Sequence, residues 1–350
     1  MNPPPPLLDD AAFDADGFCA LRIKDVVRET DDAVSLVFDV PSTQEQRFQY
    51  QAGQFLTLRV NIDGTEYRRC YSMSSSPAVA EPLRITVKRD RDGVVSNWLN
   101  DTAAPGAQID AAAPDGRFVM TGTENEIVAF AGGSGITPVL SLIRTALAAT
   151  PRRARLFYAN RDAASVIFND ALDELADQYR GRVVLQHHLD AEAGIVSAAA
   201  IADFAGTADD DAEYYICGPG PFMDTVESAL HDAGVPADQL HLERFSVAPV
   251  PAPDPNETPV TKEVTIELKR QKVTVPYRAG NTLLQTARLA GLKAPSSCET
   301  GTCGTCMAHV VEGSARMLNN DALDEDEVAE GWVVTCQALP TSPTIKVVYE

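Results

Sequence analysis

Four cysteines in the C-terminal third of this chain constrain its fold more than any other feature. Cys298, Cys303 and Cys306 follow the spacing C-x4-C-x2-C, and Cys336 lies further along. This spacing is typical of plant-type domains that hold a 2Fe–2S cluster on four thiolates. Glycines between the first three cysteines leave room for backbone N–H groups to face the sulfurs. We therefore predict a loop that wraps a 2Fe–2S cluster with these four ligands.

Zinc binding and disulfide bonds are the alternative roles for such a run of cysteines. Structural zinc sites usually contain two C-x2-C pairs, and this chain has one. The N-terminus begins MNPPPP, without the basic region and apolar segment of a signal peptide. We therefore expect a cytoplasmic protein whose seven cysteines are reduced or metal-bound.

Length and charge narrow the functional class. The chain of 350 residues is long enough for two or three domains, and no apolar run has membrane-spanning length. The net charge of −21 argues against nucleic-acid binding, which requires a basic face. Residues 123–246 carry 19 acidic and 8 basic side chains, so the excess is largest there. This acidity suits a partner protein with a basic docking face, and a merely solvated surface is the alternative.

The sequence pattern of the N-terminal third predicts a β domain. Residues 1–17 are rich in proline and aspartate, lack periodicity and are predicted to be disordered. Short alternating runs follow at 19–27, 33–40, 54–60 and 83–88, and Asp-Gly turns separate several of them. This pattern predicts a small antiparallel β-barrel over residues 18–122. Ser96 is expected to be the N-cap of a helix that starts with the segment S-N-W-L.

The predicted barrel carries side chains that suit a flavin. The run R-C-Y-S covers 69–72, and a lysine at 88 and the segment G-V-V-S at 93–96 follow. An arginine and a helix start suit phosphate groups, and an aromatic face suits an isoalloxazine ring. Cys70 is predicted to be a small buried apolar residue.

Residues 123–246 alternate between strand and helix patterns, which predicts a parallel sheet with ligands at the carboxyl ends of its strands. Two of these strands lead into glycine-rich turns, G-G-S-G-I-T-P at 132–138 and C-G-P-G-P-F-M at 217–223. A turn of this kind brings backbone N–H groups to a pyrophosphate. After the second strand, Arg161 suits a 2′-phosphate and Asp162 disfavours one. We expect NADH, with NADPH as the alternative.

A third domain follows a proline-rich linker at 247–260, which is expected to be extended. Residues 263–268 and 271–276 alternate like a hairpin, 282–290 has a helical pattern, and strands are expected at 307–312 and 332–337. This order predicts a β-grasp ferredoxin-like domain over 261–350. Residues 321–330 include six acidic side chains, which form either a docking face for a basic electron acceptor or a solvated helix.

Over about residues 20–350 the chain resembles the ferredoxin–NADP reductase superfamily. In domain order it is similar to the reductase components of multicomponent oxygenases with a C-terminal plant-type 2Fe–2S domain. The motifs R-C-Y-S, T-V-K-R, Y-A-N-R-D and the two glycine-rich turns carry this resemblance. The 3-ketosteroid 9α-hydroxylase type is expected, and the phenylacetyl-CoA epoxidase type is the alternative. Ser297 and Glu299 replace the aromatic and basic residues that such relatives often carry beside the first cysteine.

The resemblance implies three sets of site residues. The FAD-binding candidates are Arg69, Tyr71, Ser72, Lys88, Gly93, Ser96 and Phe245, the last as a ring that covers the flavin. The nucleotide-binding candidates are Gly132, Gly133, Gly135, Thr137, Pro138, Arg161, Gly218 and Pro219. The catalytic candidates are Cys217 beside the nicotinamide, Glu243 and Ser72. A buried structural cysteine is the alternative role for Cys217.

The resemblance also implies a function. Electrons would pass from NADH through FAD and the 2Fe–2S cluster to a separate terminal oxygenase. The chain has neither the C-x-H of a Rieske centre nor the E-x-x-H of a di-iron site, so we assign oxygenation to another protein. A redox sensor or a non-catalytic electron-transfer subunit of a larger complex is the alternative from a different class.

Overall fold

The computed structural model describes residues 12–14, 16–245, 261–296, 301, 303–320 and 322–349. The chain divides into two compact units, Met1–Arg244 and Phe245–Glu350. The first unit contains a six-stranded and a five-stranded sheet, and the second contains a five-stranded and a two-stranded sheet. No helix of the described residues is long and apolar enough to cross a membrane.

The first sheet is an antiparallel barrel, as predicted. Its strands are β1 Phe18–Thr30, β2 Ala33–Asp39, β3 Phe55–Ile62, β4 Thr65–Ser72, β5 Arg84–Lys88 and β6 Gln108–Ala112, and helix α1 is Val94–Thr102. The strand order is β4-β3-β6-β1-β2-β5. A bridge between Met73 and Ile85 joins the two edges, which closes the sheet. Apolar residues at alternating positions fill the interior, as the period of two requires, and Leu21, Leu36 and Leu58 are fully buried.

Two local predictions in this domain differ from the structure. The N-cap of α1 is Gly93, so Ser96 is the third helical residue and the prediction of Ser96 as N-cap was wrong. The Ser96 hydroxyl instead accepts a hydrogen bond from the Asp90 N–H at 3.2 Å, which fixes the loop before the helix. Cys70 is only half-buried, with its sulfur 3.3 Å from the Thr57 hydroxyl.

Part of the predicted disordered N-terminus is described. The Phe13 ring stacks on Phe48 with the centroids 5.5 Å apart. The Asp14 carboxylate lies 2.6 Å from the Arg59 guanidinium. These two residues therefore pack against the barrel domain.

The second sheet is parallel, as its alternation of strand and helix patterns predicts. Its elements are β7 Ile127–Gly132, α2 Ile136–Ala149, β8 Ala154–Asn160, α3 Asn169–Gln178, β9 Val183–Leu189, α4 Asp190–Ala193, α5 Ala198–Ala205, β10 Glu213–Gly218, α6 Gly220–Asp232 and β11 Leu240–Arg244. In the order β11-β10-β7-β8-β9, β8 and β9 lie on one side of β7, and β10 and β11 lie on the other. The strand order therefore reverses between β7 and β10. A parallel sheet forms a ligand crevice at such a reversal.

A polar seam connects helix α2 to the segment that follows β4. The Ser141 hydroxyl donates to the Ser75 carbonyl at 2.6 Å, and the Ser76 and Thr145 hydroxyls lie 2.7 Å apart. Arg144 donates to the Glu81 carboxylate at 3.0 Å. Because buried polar groups cost free energy unless they are paired, this seam fixes the barrel against the nucleotide domain.

The second unit has the predicted β-grasp organisation. Its elements are β12 Glu263–Leu268, β13 Gln271–Pro276, α7 Leu283–Leu289, β14 Met307–Glu312, β15 Ala315–Met317, α8 Glu325–Ala329, β16 Trp332–Val334, β17 Ala338–Pro340 and β18 Thr344–Tyr349. The main sheet has the order β13-β12-β18-β14-β16, with β12 and β18 parallel. Leu283 and Ala287 of α7 pack in the core of this unit.

Candidate functional site

Two glycine-rich turns interlock at the carboxyl ends of β7 and β10. A Cβ on Gly135 would lie 2.1 Å from the Cys217 carbonyl oxygen, and one on Gly218 would lie 3.0 Å from the Gly132 backbone. A Cβ on Gly132 would meet the Pro219 ring at 2.8 Å. The glycines are therefore needed for close backbone approach, and the structure brings the two predicted turns into direct contact.

The first turn is held in shape by its neighbours. Gly133 has φ +51°, a backbone conformation that residues with a side chain rarely adopt. Its carbonyl accepts a hydrogen bond from the buried Tyr158 hydroxyl at 3.0 Å. Thr137 and Pro138 lie in the first turn of α2, and the Thr137 hydroxyl donates to the Ser134 carbonyl at 3.0 Å. The Ile136 N–H donates to the Gly133 and Ser134 carbonyls, and Pro138 has no N–H. An anion would therefore bind at the backbone of the turn at 133–135.

A cavity of about 310 Å³ opens beside this turn. Residues of β8, of both glycine-rich turns and of the barrel line it, including Lys88, Gly133, Asn160, Arg161, Asp190 and Pro219. Asn160 is 5% exposed, and within the described residues neither amide atom has a hydrogen-bond partner of regular geometry. A buried amide without a partner costs free energy, so the wall fits a ligand with hydroxyl groups, such as a ribose.

The charged residues after β8 and β9 refine the prediction for the nucleotide. Arg161 lines the cavity. The Asp162 carboxylate instead accepts a hydrogen bond from the Ser165 N–H at 2.9 Å and caps a short helix. Asp190, which follows β9, lines the same cavity as Arg161. Asp162 is not among the residues that line the cavity, and its effect on a 2′-phosphate stays a prediction.

Cys217 and Glu243 lie side by side on adjacent parallel strands. Cys217 is fully buried and Glu243 is 9% exposed. Burial, with a smaller contribution from the Glu243 charge, raises the pKa of the Cys217 thiol well above its usual 9.0. The thiol is therefore protonated at neutral pH. Phe245 directly follows β11 and is 40% exposed. Its role as a ring that covers the flavin stays a prediction.

The predicted flavin residues lie on β4 and around the start of α1. Arg69 and Tyr71 alternate with Cys70 and the buried Ser72 along β4. A Cβ on Gly93 would lie 2.2 Å from the Ser96 hydroxyl, so this helix start accepts only glycine without rearrangement. An arginine, a tyrosine and a helix start with free N–H groups fit the phosphates and ring of FAD.

Lys88, a predicted flavin ligand, lies beside the first glycine-rich turn. A Cβ on Gly133 would lie 3.5 Å from the Lys88 ammonium, and the side chain lines the nucleotide cavity. Burial is the largest effect on this ammonium and lowers its pKa, which the nearby Asp32 partly opposes. Lys88 therefore extends from the barrel towards the site predicted for the nucleotide pyrophosphate.

Three of the four predicted cluster ligands are described, and all three are buried: Cys303, Cys306 and Cys336. Cys298 lies outside the described residues, as do Ser297 and Glu299. The Cys336 N–H donates to the Cys306 sulfur at 3.5 Å, and the Thr305 N–H donates to the Cys303 sulfur at 3.5 Å. Such N–H donors fit thiolate ligands of an iron–sulfur cluster.

The cluster loop depends on two glycines with positive φ. Gly301 has φ +90° and Gly304 has φ +72°, and a Cβ on Gly301 would lie 2.8 Å from the Asn319 carbonyl oxygen. Among the described residues, no group of three or more His, Cys, Asp or Glu side chains forms a metal site. The complete four-cysteine ligand set therefore stays a prediction.

Family models match the three domains in the predicted order. An oxidoreductase FAD-binding domain matches residues 20–120. An oxidoreductase NAD-binding domain matches residues 130–228. A 2Fe-2S iron-sulfur cluster binding domain matches residues 266–341. The predicted cofactor domains and their order are thereby confirmed.

Curated relatives match nearly the whole chain. The 3-ketosteroid-9-alpha-monooxygenase ferredoxin reductase component of Mycobacterium tuberculosis is 42% identical over 344 residues, which cover 94% of this chain and 95% of that protein. This chain belongs to the family of oxygenase reductase components. One component of the 1,2-phenylacetyl-CoA epoxidase of Escherichia coli is 32% identical, and the match covers 95% of this chain and 98% of that protein.

A solved structure supports the family assignment. Phthalate dioxygenase reductase, described as modular for electron transfer from pyridine nucleotides to [2Fe-2S], superposes with a TM-score of 0.65 at 27% identity. The match covers 95% of this chain and 98% of that one. The reductase described here is thus an oxidoreductase with FAD-binding, NAD-binding and 2Fe–2S domains.

Sequence reasoning missed several residues that shape the nucleotide site. Tyr158 and Asn160 belong to the quoted motif Y-A-N-R-D, but their side-chain roles follow only from the burial of β8. Asp190 follows a strand whose end the periodicity did not reveal. Asp32 is 129 residues from Arg161, yet it forms an ion pair with it, and no local signal predicts a contact of that separation.

Proposed function

We propose that this reductase oxidises NADH and delivers the electrons, through FAD and a 2Fe–2S cluster, to a separate terminal oxygenase. The observation that carries the proposal is the cavity at the ends of β7 and β8. It is lined by the Gly133 turn of the nucleotide domain and by Lys88 of the flavin barrel. A nucleotide bound there would lie against both domains of the first unit.

The residues of the site have distinct roles in this proposal. Backbone N–H groups of the turn at 133–135 and the Lys88 ammonium would bind the pyrophosphate, and the Asn160 amide would bind a ribose. The buried, protonated Cys217 would present a small neutral group to the nicotinamide, and Glu243 would support it from β11. Arg69, Tyr71, Ser72 and the start of α1 would hold FAD.

When bound, FAD supplies a two-electron acceptor for the hydride of NADH, and the iron–sulfur cluster supplies one-electron transfer. The protein contributes orientation and the exclusion of water. Steric contact between the two turns fixes Cys217 relative to Gly135, so a bound nicotinamide would lie against a surface of fixed geometry. Orientation of this kind lowers the barrier of hydride transfer, and small misplacements are costly.

The acceptor is proposed to be a protein with a basic docking face. Leu323 packs in one apolar cluster with Cys306 and Cys336, and α8 begins two residues later. Glu325, Asp326 and Glu327 form the first turn of α8, so negative charge lies near the predicted iron–sulfur site. The names of the relatives favour the oxygenase of a 3-ketosteroid 9α-hydroxylase as the acceptor, with a phenylacetyl-CoA epoxidase as the second choice. We place the reaction in the cytoplasm, where NADH is available.

Purified protein loaded with FAD and iron–sulfur cluster tests the proposal. We expect NADH-driven reduction of both ferricyanide and cytochrome c by the chain alone, and no hydroxylation of a steroid until an oxygenase is added. A loaded protein that oxidises no NADH would instead support a redox sensor or a passive electron-transfer subunit. Comparing several purified oxygenases as acceptors would identify the physiological partner by the fastest reduction.

A further inference from the structure

Three charged side chains meet at the rim of the nucleotide cavity. The Asp32 carboxylate belongs to the turn between β1 and β2 of the barrel. It lies 3.3 Å from the Arg161 guanidinium and 4.0 Å from the Lys88 ammonium. Both cations line the cavity. One carboxylate of the flavin domain is therefore shared by the two cations of the nucleotide site.

The position of Asp32 is fixed by its neighbours. One carboxylate oxygen accepts a hydrogen bond from the Thr30 hydroxyl at 2.8 Å, and the other faces the cations. The Asp32 carbonyl accepts a hydrogen bond from the Arg89 N–H at 2.7 Å, which ties the turn to the end of β5. The adjacent Asp31 is exposed and makes no ion pair with any residue that the structure describes.

Two cations and two carboxylates lie at the cavity rim, and the Asp162 carboxylate is also close enough to act on Lys88. Lys88, Arg161 and Asp190 are the charged lining residues, and Asp32 adds a second carboxylate. The pyrophosphate of NADH can use Lys88 and the backbone N–H groups of the turn at 133–135. NADPH adds a 2′-phosphate with about two further negative charges. Arg161 has the chemistry to bind that phosphate, but its guanidinium already faces Asp32.

We propose that Asp32 makes this reductase prefer NADH over NADPH, by engaging Arg161 and by repelling a 2′-phosphate at the rim of the cavity. This inference rests on the proposed function. It assigns part of the nucleotide specificity to the flavin barrel, although the adenosine ribose is expected against β8.

The expected change in nucleotide preference follows from the solvent exposure of the charged side chains. The Arg161 side chain is 69% exposed, and ion pairs of exposed side chains contribute little to stability. The Lys88 side chain is only 20% exposed, so charges on that side are screened less by solvent. Removing the Asp32 charge should therefore change nucleotide preference by about tenfold without unfolding the protein.

The test compares Asp32→Asn with wild type in the FAD-loaded full chain. We expect the ratio of kcat/KM for NADPH to that for NADH, with ferricyanide as acceptor, to rise about tenfold through a lower KM for NADPH. Calorimetry should show that adenosine 2′,5′-bisphosphate binds Asp32→Asn about tenfold more tightly, while the affinity for 5′-AMP changes less than about threefold. Asp31→Asn is the matched control, and its ratio should stay within about twofold of wild type.

Arg161→Ala distinguishes the proposed mechanism from a general change of charge. In the wild-type background it should leave the preference nearly unchanged, whereas in the Asp32→Asn background it should abolish the gain. A tenfold loss of NADPH use by Arg161→Ala alone would show that Arg161 already binds the phosphate, and that result would overturn the inference. An unchanged ratio in Asp32→Asn, or a wild type that prefers NADPH, would also overturn it. Failure of wild type to oxidise either nucleotide would instead refute the proposed function.

Discussion

At the scale of single residues, Cys217 offers the most direct test of the proposed hydride-transfer site. The side chain is fully buried, and its raised pKa keeps the thiol protonated as pH increases to the usual thiol value and beyond. We expect Cys217→Ala to lower kcat for NADH-driven ferricyanide reduction by on the order of tenfold, because the nicotinamide loses a contact that orients it. Steady-state kinetics of the FAD-loaded protein measure this.

Cys19 provides the matched control for that substitution. It is 1% exposed, burial also raises its pKa, and it lies in the barrel core away from the nucleotide cavity. Cys19→Ala should therefore lower the free energy of unfolding, as the truncation of a small buried side chain usually does. It should leave kcat within about twofold of the wild-type value. Equal losses of kcat in the two variants would show that Cys217 has only a structural role.

Gly135 tests whether the two glycine-rich turns must interlock. A Cβ there would lie 2.1 Å from the Cys217 carbonyl oxygen, and backbone atoms cannot move away cheaply. We expect Gly135→Ala to destabilise the protein by about 1–3 kcal/mol, the usual cost of overpacking, and to weaken NADH binding. Thermal unfolding and NADH titration measure the two effects.

Gly220 is the control for Gly135, because it belongs to the second turn but faces open space. A Cβ at Gly220 would meet no atom within 4 Å, and the residue is the first of α6. Gly220→Ala should therefore keep the wild-type melting temperature or raise it slightly. If Gly135→Ala behaved in the same way, the interlocking of the turns would not constrain the site.

At the scale of elements, the sequence predicted best those strands whose pattern is local. The hairpin of β12 and β13 has the predicted bounds, because alternation and a two-residue turn determine it. β6 was missed because Gln108–Ala112 is short and contains two alanines, which give little strand signal. α5 was also missed, because its segment at 198–205 is short and so rich in alanine that the buried positions Ile201 and Phe204 hardly stand out from their neighbours.

The residues of the candidate site also divide into those predicted from the local sequence and those that only the fold reveals. The glycine-rich turns and cysteines were predicted because their function depends on spacing along the chain. The partners that fix them were not, since Tyr158 contacts Gly133 and Asp32 contacts Arg161 only after the strands assemble. Lys88 was predicted as a flavin ligand from the family resemblance, but only the packed structure shows that it lines the nucleotide cavity.

The polar seam on α2 yields a prediction at this scale. Ser141 is fully buried and donates to the Ser75 carbonyl at 2.6 Å. Ser141→Ala leaves that carbonyl without this donor, which should cost about 1–3 kcal/mol. Urea unfolding followed by flavin fluorescence measures the loss. Thr102→Ala, which removes an exposed hydroxyl bonded within α1 at 2.7 Å, should cost less than about 0.5 kcal/mol; equal costs would contradict a role of the seam.

At the scale of the whole molecule, the two units contain separate hydrophobic cores. Barrel and nucleotide-domain residues form the clusters around Leu36, Leu140 and Phe130, whereas the second unit packs around Ile266 and Leu284. Because each core consists of residues from one unit, each unit should fold by itself. The division also places the predicted flavin and nucleotide residues up to Arg244 in one unit and the predicted cluster ligands in the other.

Truncation after residue 245 should therefore separate the two half-reactions. We expect residues 1–245 to bind FAD and to reduce ferricyanide with NADH at a rate within about threefold of the full chain. Cytochrome c reduction should fall more than about tenfold, because the one-electron carrier of the proposed path is removed. Cys336→Ser in the full chain should reproduce that loss, together with the loss of the cluster's visible absorption, while the flavin spectrum remains. Full cytochrome c activity in the truncated protein would mean that electrons leave directly from the flavin and that the 2Fe–2S domain serves another purpose.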